Sequence, residues 1–352
     1  MRRKLKLASL DLIKRAGLFE RVANSHWRQQ RLLILCYHGI SLEDEHLWRP
    51  FLYIQPALLE KRLEALHAMR CTVLPLAEAL SRLQSADLPP RSVAITFDDG
   101  TFDFYKQAYP RLKQRGFPVT VYQTTYYTDH QMPVFNLICS YMLWKRRLER
   151  SIDARDLGLS ESMDLRTELG RHRFVRGLID LSERENLTGR QKNDLAARLA
   201  AILGIDYAQL VSRRILQLMN PQELAEASAN GVDVQLHTHR HCSPEEEISF
   251  RREISENRDR IRALTGRQAS HFCYPSGIYR TEFVGWLEKE KVISATTCDA
   301  GLVGRQNNPY LLPRVVDTSG RQQVEFESWL CGVGDLVALR RAAPQRYILP
   351  RD

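Results

Sequence analysis

From residue 31 onward, short apolar runs of strand length alternate with longer stretches whose apolar residues recur at helical spacing. That alternation constrains the fold more than any other feature of the chain. Residues 32–37, 93–97, 119–123, 232–236, 272–274 and 292–295 read as buried strands. Residues 56–68 set Leu59, Leu63 and Leu66 on one helical face, and 102–115, 245–264 and 283–290 give further helices, the first closed by Gly116. Strands separated by helices pair in parallel, which predicts an α/β sheet or barrel with helices outside it.

Residues 129–230 break this rhythm. They hold no convincing strand but several helical stretches, at 143–152, 165–181, 191–202 and 221–229, and read as a helical insertion into an α/β domain spanning 31–318. Residues 319–352 read as a C-terminal helix and tail. Residues 1–30 read as a basic amphipathic helix, with Leu7, Leu10, Ile13, Leu18 and Val22 near helical spacing. Two readings of that helix stay open: packing against the domain, or lying on an anionic membrane surface through Arg2, Arg3, Lys4 and Lys6.

No apolar run approaches the eighteen residues that a membrane-spanning helix needs. The start Met1-Arg2-Arg3-Lys4 is charged like a signal peptide, but Lys6, Asp11, Lys14 and Arg15 interrupt the apolar segment that a signal peptide would place next. A cytoplasmic chain without a signal peptide is therefore expected. Seven cysteines, an odd number with no CxxC pair, fit neither a disulfide framework nor a thiolate zinc site. The net charge of +9 is dispersed among acids, without a zinc-finger, RNP or basic-helix pattern. It implies a bias toward anionic partners and no nucleic-acid binding.

Four segments carry chemistry. Ala94-Ile95-Thr96-Phe97 runs into Asp98-Asp99-Gly100, placing two adjacent carboxylates where a buried strand emerges, the edge at which parallel α/β proteins build sites. Adjacent carboxylates stay ionised together only when a cation compensates, and successive residues point different ways, so one can hold a metal while the other faces substrate. A plain Asp-Asp-Gly turn is the other reading of this segment taken alone. His237-Thr238-His239-Arg240-His241 follows another strand, and imidazoles at i and i+4 meet on one face of a helical turn as two nitrogen ligands. Phe272-Cys273-Tyr274-Pro275-Ser276-Gly277 is a strand entering a Pro/Gly turn. Cys36-Tyr37-His38-Gly39 sets a histidine at the exit of the first strand, where a structural capping role is the simpler reading.

Together these segments resemble the polysaccharide deacetylases, the NodB-homology domain of carbohydrate esterase family four. The first family motif, Thr-Phe-Asp-Asp-Gly, stands at 96–100, and the match continues through Phe104, Tyr109-Pro110, Leu112, Gly116, Pro118 and Thr120. The second, His-Ser/Thr-x-x-His, stands at 237–241, and the third at 272–277. The opening Leu-Cys-Tyr-His-Gly-Ile resembles the branch with the bacterial poly-N-acetylglucosamine deacetylases. The resemblance implies a distorted (β/α) barrel of fewer than eight parallel strands and a hydrolase that removes N-acetyl groups from an amino-sugar glycan or lipid-linked glycan in surface or exopolysaccharide biosynthesis.

It also implies roles. Asp99, His237 and His241 bind one divalent metal, with zinc the first choice before cobalt, nickel, manganese or magnesium. Asp98 is the general base, and the Tyr274 backbone N–H helps the metal stabilise the oxyanion. Thr238 braces the histidine loop, and Thr238, Pro275 and Gly277 contribute to substrate binding. Two departures from the family pattern matter. Cys273 stands where the third motif has a base-orienting arginine, so Arg314 in Leu311-Leu312-Pro313-Arg314-Val315 is the expected substitute. No histidine follows His271, which leaves His38 as candidate acid for the leaving amine, flanking the acetamide opposite Asp98. An O-deacetylase, a deformylase and a glycan-binding homologue without turnover are the alternatives, the last disfavoured because mere binding needs no base. Oligomeric state is left open.

Overall fold

The computed structural model describes residues 2–149, 153–159 and 164–338. These form ten strands: β1 (Leu33–Tyr37), β2 (Gly39–Ile40), β3 (Tyr53–Ile54), β4 (Thr72–Val73), β5 (Ser92–Phe97), β6 (Thr120–Gln123), β7 (Asp233–Leu236), β8 (His271–Cys273), β9 (Ser294–Thr296) and β10 (Val315–Val316). Seven pair side by side in the order β10-β1-β5-β6-β7-β8-β9, all in parallel, and β4 joins the start of β5. Just before β10, Leu312 bridges Thr296 of β9, while Val315 and Val316 pair with Leu35 and Cys36 of β1. The sheet thereby closes on itself as a distorted barrel of fewer than eight wall strands, the class that the sequence predicts.

Side chains alternate across this wall. Leu33, Leu35, Val93, Ile95, Phe97 and Val121 face outward into the main core under the helices. Ile34, Ala94, Tyr122 and Cys273 face inward, joined by Leu76, Ala79 and Leu83 of the helix Leu76–Gln84. The strands β4 and β10 have no counterpart among the sequence expectations, because two residues display no period. The helix expected at 102–115 begins as a π-turn, Phe104–Ala108, before Tyr109–Gln114. Pro110 has no N–H to donate to the preceding turn, which accounts for the widened winding.

Helices fill the stretch between β6 and β7 and build a second core. Phe135, Ile138 and Met142 of Phe135–Lys145 pack with Phe174 and Leu178 of Glu168–Arg184 and with Leu195 and Leu199 of Gly189–Ile202. The first of these starts earlier than the expected 143–152, whose last residues lie outside the described ones. The helix Pro221–Ala229 instead sends Leu224 and Ala227 into the barrel core. Packing therefore ends the insertion near Leu216, short of the expected 230.

At the N-terminus, three helices replace the single expected one: Arg2–Arg15, Leu18–Ala23 and His26–Gln29. Gly17, at φ +72°, breaks the first from the second, and the Ser25 side chain caps the third by accepting from the Arg28 N–H. Leu10, Phe19 and Ala23 pack against Cys331 and Val333 of the helices Gln323–Cys331 and Val333–Ala338, and Lys6 pairs with Glu325 at 2.8 Å. Of the two readings of this segment, packing is the one the fold displays, although Leu5, Leu12 and Leu18 stay exposed. The rest of the expected C-terminal tail, 339–352, lies outside the described residues. Among the described residues no helix is long and apolar enough to cross a membrane.

Candidate active site

Because the wall strands are parallel, their C-terminal ends share one rim, where His38, Asp98, His237 and Tyr274 follow β1, β5, β7 and β8. After β5 the chain turns left-handed, with Asp99 at φ +69° and Gly100 at φ +74°. Any side chain at 100 would strike Gln123, whose Oε1 lies 1.8 Å from a Cβ built there. The turn sends the two carboxylates apart, as their adjacency implies.

Asp98 is 2% exposed and takes a two-pronged clamp from Arg314: Nη1 donates to Oδ1 at 2.7 Å and Nη2 to Oδ2 at 2.8 Å. Arg314, itself fully buried, also donates to the Thr297 carbonyl at 2.9 Å and to Thr96 Oγ1 at 3.3 Å. Burial pushes the Asp98 carboxyl up, but the Arg314 charge and hydrogen bonds outweigh it and hold the group well below the usual carboxylate range. Asp98 is thus a buried, oriented carboxylate that Arg314 favours in its ionised form. Arg314 therefore stands where the substitute for the missing motif arginine is expected.

Asp99 turns the other way. Its Oδ1 lies 3.3 Å from His237 Nε2 and 3.2 Å from His241 Nε2, buried and without a hydrogen-bond partner. His237 Nδ1 lies 2.8 Å from the Cys273 carbonyl, an arrangement in which Nδ1–H donates and Nε2 keeps its lone pair toward Asp99. The rings of His237 and His241 stand edge-to-face at 5.0 Å. One carboxylate oxygen and two imidazole nitrogens within 4.8 Å of one another are a donor set suited to zinc. Two other groups are equally compact, Cys36/His38/Asp98 and Asp98/His237/Cys273. Both depend on Asp98, whose two oxygens are taken by a guanidinium that would repel a cation, so Asp99, His237 and His241 fit a metal best.

Five of the expected site residues stand differently from their expected placement. Tyr274 N–H already donates to the Thr296 carbonyl at 3.3 Å as β8 leaves the barrel, and its hydroxyl donates to the Tyr310 carbonyl at 3.0 Å, so both ends are engaged away from an oxyanion. Thr238 is fully buried and its Oγ1 accepts from the Cys242 N–H at 3.1 Å; it braces the loop and cannot touch substrate. Pro275 is likewise buried, and Gly277, at φ +67° against Cys298, shapes the turn, leaving Ser276 as its exposed member. His38 does not face Asp98 across a substrate. Its Nε2 lies 3.6 Å from Asp98 Oδ2, too close to hold an acetamide between them.

Other residues of the site escaped the sequence reading. Asn257, buried in the helix Glu247–Thr265, accepts from the His237 N–H at 3.0 Å and donates to the Gln123 carbonyl at 2.9 Å and Thr125 Oγ1 at 3.0 Å. The thiols of Cys36 and Cys273 each lie 3.5 Å from Asp98 Oδ2. Asp103 accepts from the Ile40 N–H and from Thr101 Oγ1, both at 2.8 Å. Asn257 is one of several uncharged residues in a charged helix, so nothing in the sequence marks it, and the sequence marks Cys273 only as the place where the motif arginine is missing.

A family model described as polysaccharide deacetylase matches residues 85–153 and 192–292, which take in Asp98, Asp99, His237 and His241 and skip part of the insertion. The comparison with curated proteins gives no match. Among solved structures, the Streptococcus pyogenes deacetylase PplD, in complex with acetate, aligns with a TM-score of 0.54 at 17% identity, over 82% of this chain and 93% of that one. IcaB from Ammonifex degensii aligns at 0.53 with 16% identity, over 86% and 97%. A polysaccharide deacetylase from Bacillus cereus aligns at 0.52 with 14% identity, over 86% and 69%. At such identities the likeness is one of fold.

Proposed function

The chain belongs to the polysaccharide deacetylase family, and from that premise we propose that it is a metal-dependent hydrolase removing N-acetyl groups from an amino-sugar glycan or lipid-linked glycan in surface-polysaccharide synthesis. The observation that carries the reading is the orphaned Asp99 Oδ1 aimed between two histidine nitrogens, beside a second carboxylate that a buried arginine keeps ionised. A divalent ion held by Asp99, His237 and His241, zinc on its donor set, supplies Lewis acidity to the acetamide carbonyl and the attacking water.

This chain's residues do the rest. Asp98, fixed by Arg314, accepts the proton that water loses as its oxygen bonds to the carbonyl carbon. His38 is held neutral, because burial lowers its pKa more than Asp98 and Asp99 raise it. Lying 3.6 Å from Asp98, it can pass that proton to the nitrogen as the C–N bond breaks, releasing acetate and the free amine. Acid and base are neighbours acting in sequence. The exposed Leu5, Leu12 and Leu18, with Lys4 and Arg15 alongside, suit a peripheral contact with an anionic membrane face from the cytoplasmic side.

The test couples metal content to amine release from N-acetylglucosamine oligomers. Asp98→Asn should keep about one zinc per chain yet lose turnover by about 10²–10⁴-fold. His237→Ala with His241→Ala should lose the metal. Near-normal turnover in the first variant, or retained metal in the second, would overturn the assignment.

A further inference from the structure

We propose that Arg49 and Tyr53 form an anion-binding subsite on the catalytic rim, and that the amino sugar processed here carries a phosphate or carboxylate close to its acetamide. The proposal rests on the deacetylase reading above and narrows its substrate class.

The loop bearing these residues is fixed beside His38. Directly after that histidine, β2 pairs with β3, and the Gly39 N–H donates to the Leu52 carbonyl at 3.0 Å. The Tyr53 ring fills the space a side chain at 39 would need, with ring carbons 2.1 Å from a Cβ built there. Its hydroxyl lies in the field of Asp103, Asp99 and Glu45, with Arg49 the one cation that opposes them there. Burial and those carboxylates push the phenol well above its ordinary pKa, so it remains a neutral donor.

Arg49 is half-buried, its guanidinium 4.5 Å over the Trp48 ring, which Tyr141 holds edge-on at 5.4 Å. The other charges of this wall are matched. Lys145 and the Tyr141 hydroxyl donate to Asp44, Arg213 donates to Glu43, Arg214 pairs with Glu223, and Glu45 accepts from the Glu43 N–H. Among the described residues, the Arg49 guanidinium alone on this wall has neither carboxylate nor carbonyl acceptor. Half-buried and without an acceptor of its own, the guanidinium keeps its donors free for an anion. A planar guanidinium pre-set by stacking matches the two oxygens of a phosphate or carboxylate.

Equilibrium binding to the full, zinc-supplied chain tests this with three probes: N-acetylglucosamine 1-phosphate, N-acetylglucosaminuronic acid and the neutral methyl N-acetylglucosaminide. Amine release is followed in parallel. At least one anionic probe should bind about 10- to 100-fold tighter than the neutral one, the range of a charge-assisted hydrogen bond. Arg49→Met, which keeps the aliphatic stem on Trp48, should bring that probe down to the neutral affinity, and Arg49→Lys should restore part of the preference. Which anionic probe gains identifies phosphate or carboxylate as the source. Equal affinity for charged and neutral probes, equal weakening of all three by Arg49→Met, or no binding of any probe would overturn the subsite. A preference that depends on Arg49 without amine release would uphold the subsite and sink the deacetylase reading instead.

Discussion

Asp98 and Asp103 stand within six residues of each other, are both drawn from water, and titrate in opposite directions. Asp98 is held low by Arg314, against the upward push of burial. Asp103 is pushed up to about 8, because its burial outweighs the two hydrogen bonds it accepts, and Glu45 and Asp99 add to the rise. The folded protein therefore binds a proton here that the unfolded chain, with a carboxyl near 3.8, has already released. Stability from this group is complete below about pH 4 and is lost as pH rises toward 8, by at most about 1.4 kcal/mol per unit. In metal-free protein, Asp103→Asn should gain stability over the wild type when urea midpoints at pH 5 and pH 8 are compared. Parallel pH slopes for the two proteins would show that Asp103 is ionised in the fold. The sequence displays the adjacency of Asp98 and Asp99, which forces a compensating cation, but it cannot display these directions. The group that decides Asp98 is 216 residues away.

At the scale of elements, what was legible was what is local. The wall strands of three residues or more announce themselves through apolar runs, and the histidine loop through its own spacing. The supports of that loop come from afar, and Asn257 and the Cys273 carbonyl reach it only through packing. Thr238 is the local exception, a β-branched residue at φ +62°, a conformation that such residues adopt at a cost. Its hydroxyl, accepting from the Cys242 N–H, holds the turn that points His241 at Asp99. Thr238→Val should weaken metal affinity on the order of 10- to 100-fold, the range for second-layer partners of metal sites, while Thr238→Ser loses less. Competition against a chromophoric chelator measures this, and unchanged affinity in the valine variant would mean that backbone packing alone sets the loop.

The whole molecule joins two cores that the sequence separates only by rhythm, and the proposed metal ligands belong to one of them. Asp99 follows β5, while His237 and His241 follow β7, with β6 between. An ion held by the three ties together rim loops of the barrel and touches none of the helices 168–202, whose core meets the barrel side through Tyr53. A ligand that binds only the folded state stabilises it by about 4 kcal/mol at a thousand-fold excess over its dissociation constant. For a chain of this size, zinc added to metal-free protein should thus raise the melting temperature on the order of 10 °C. His241→Ala should abolish most of that rise. The gain should also be uneven. Hydrogen exchange should slow in peptides covering 96–101 and 236–243, where the ligands sit, and stay nearly unchanged across 168–202, because local opening of that second core leaves the ligands in place. Equal slowing in both regions would show that barrel and insertion open as one cooperative unit, and that two packed cores do not here make two units of stability.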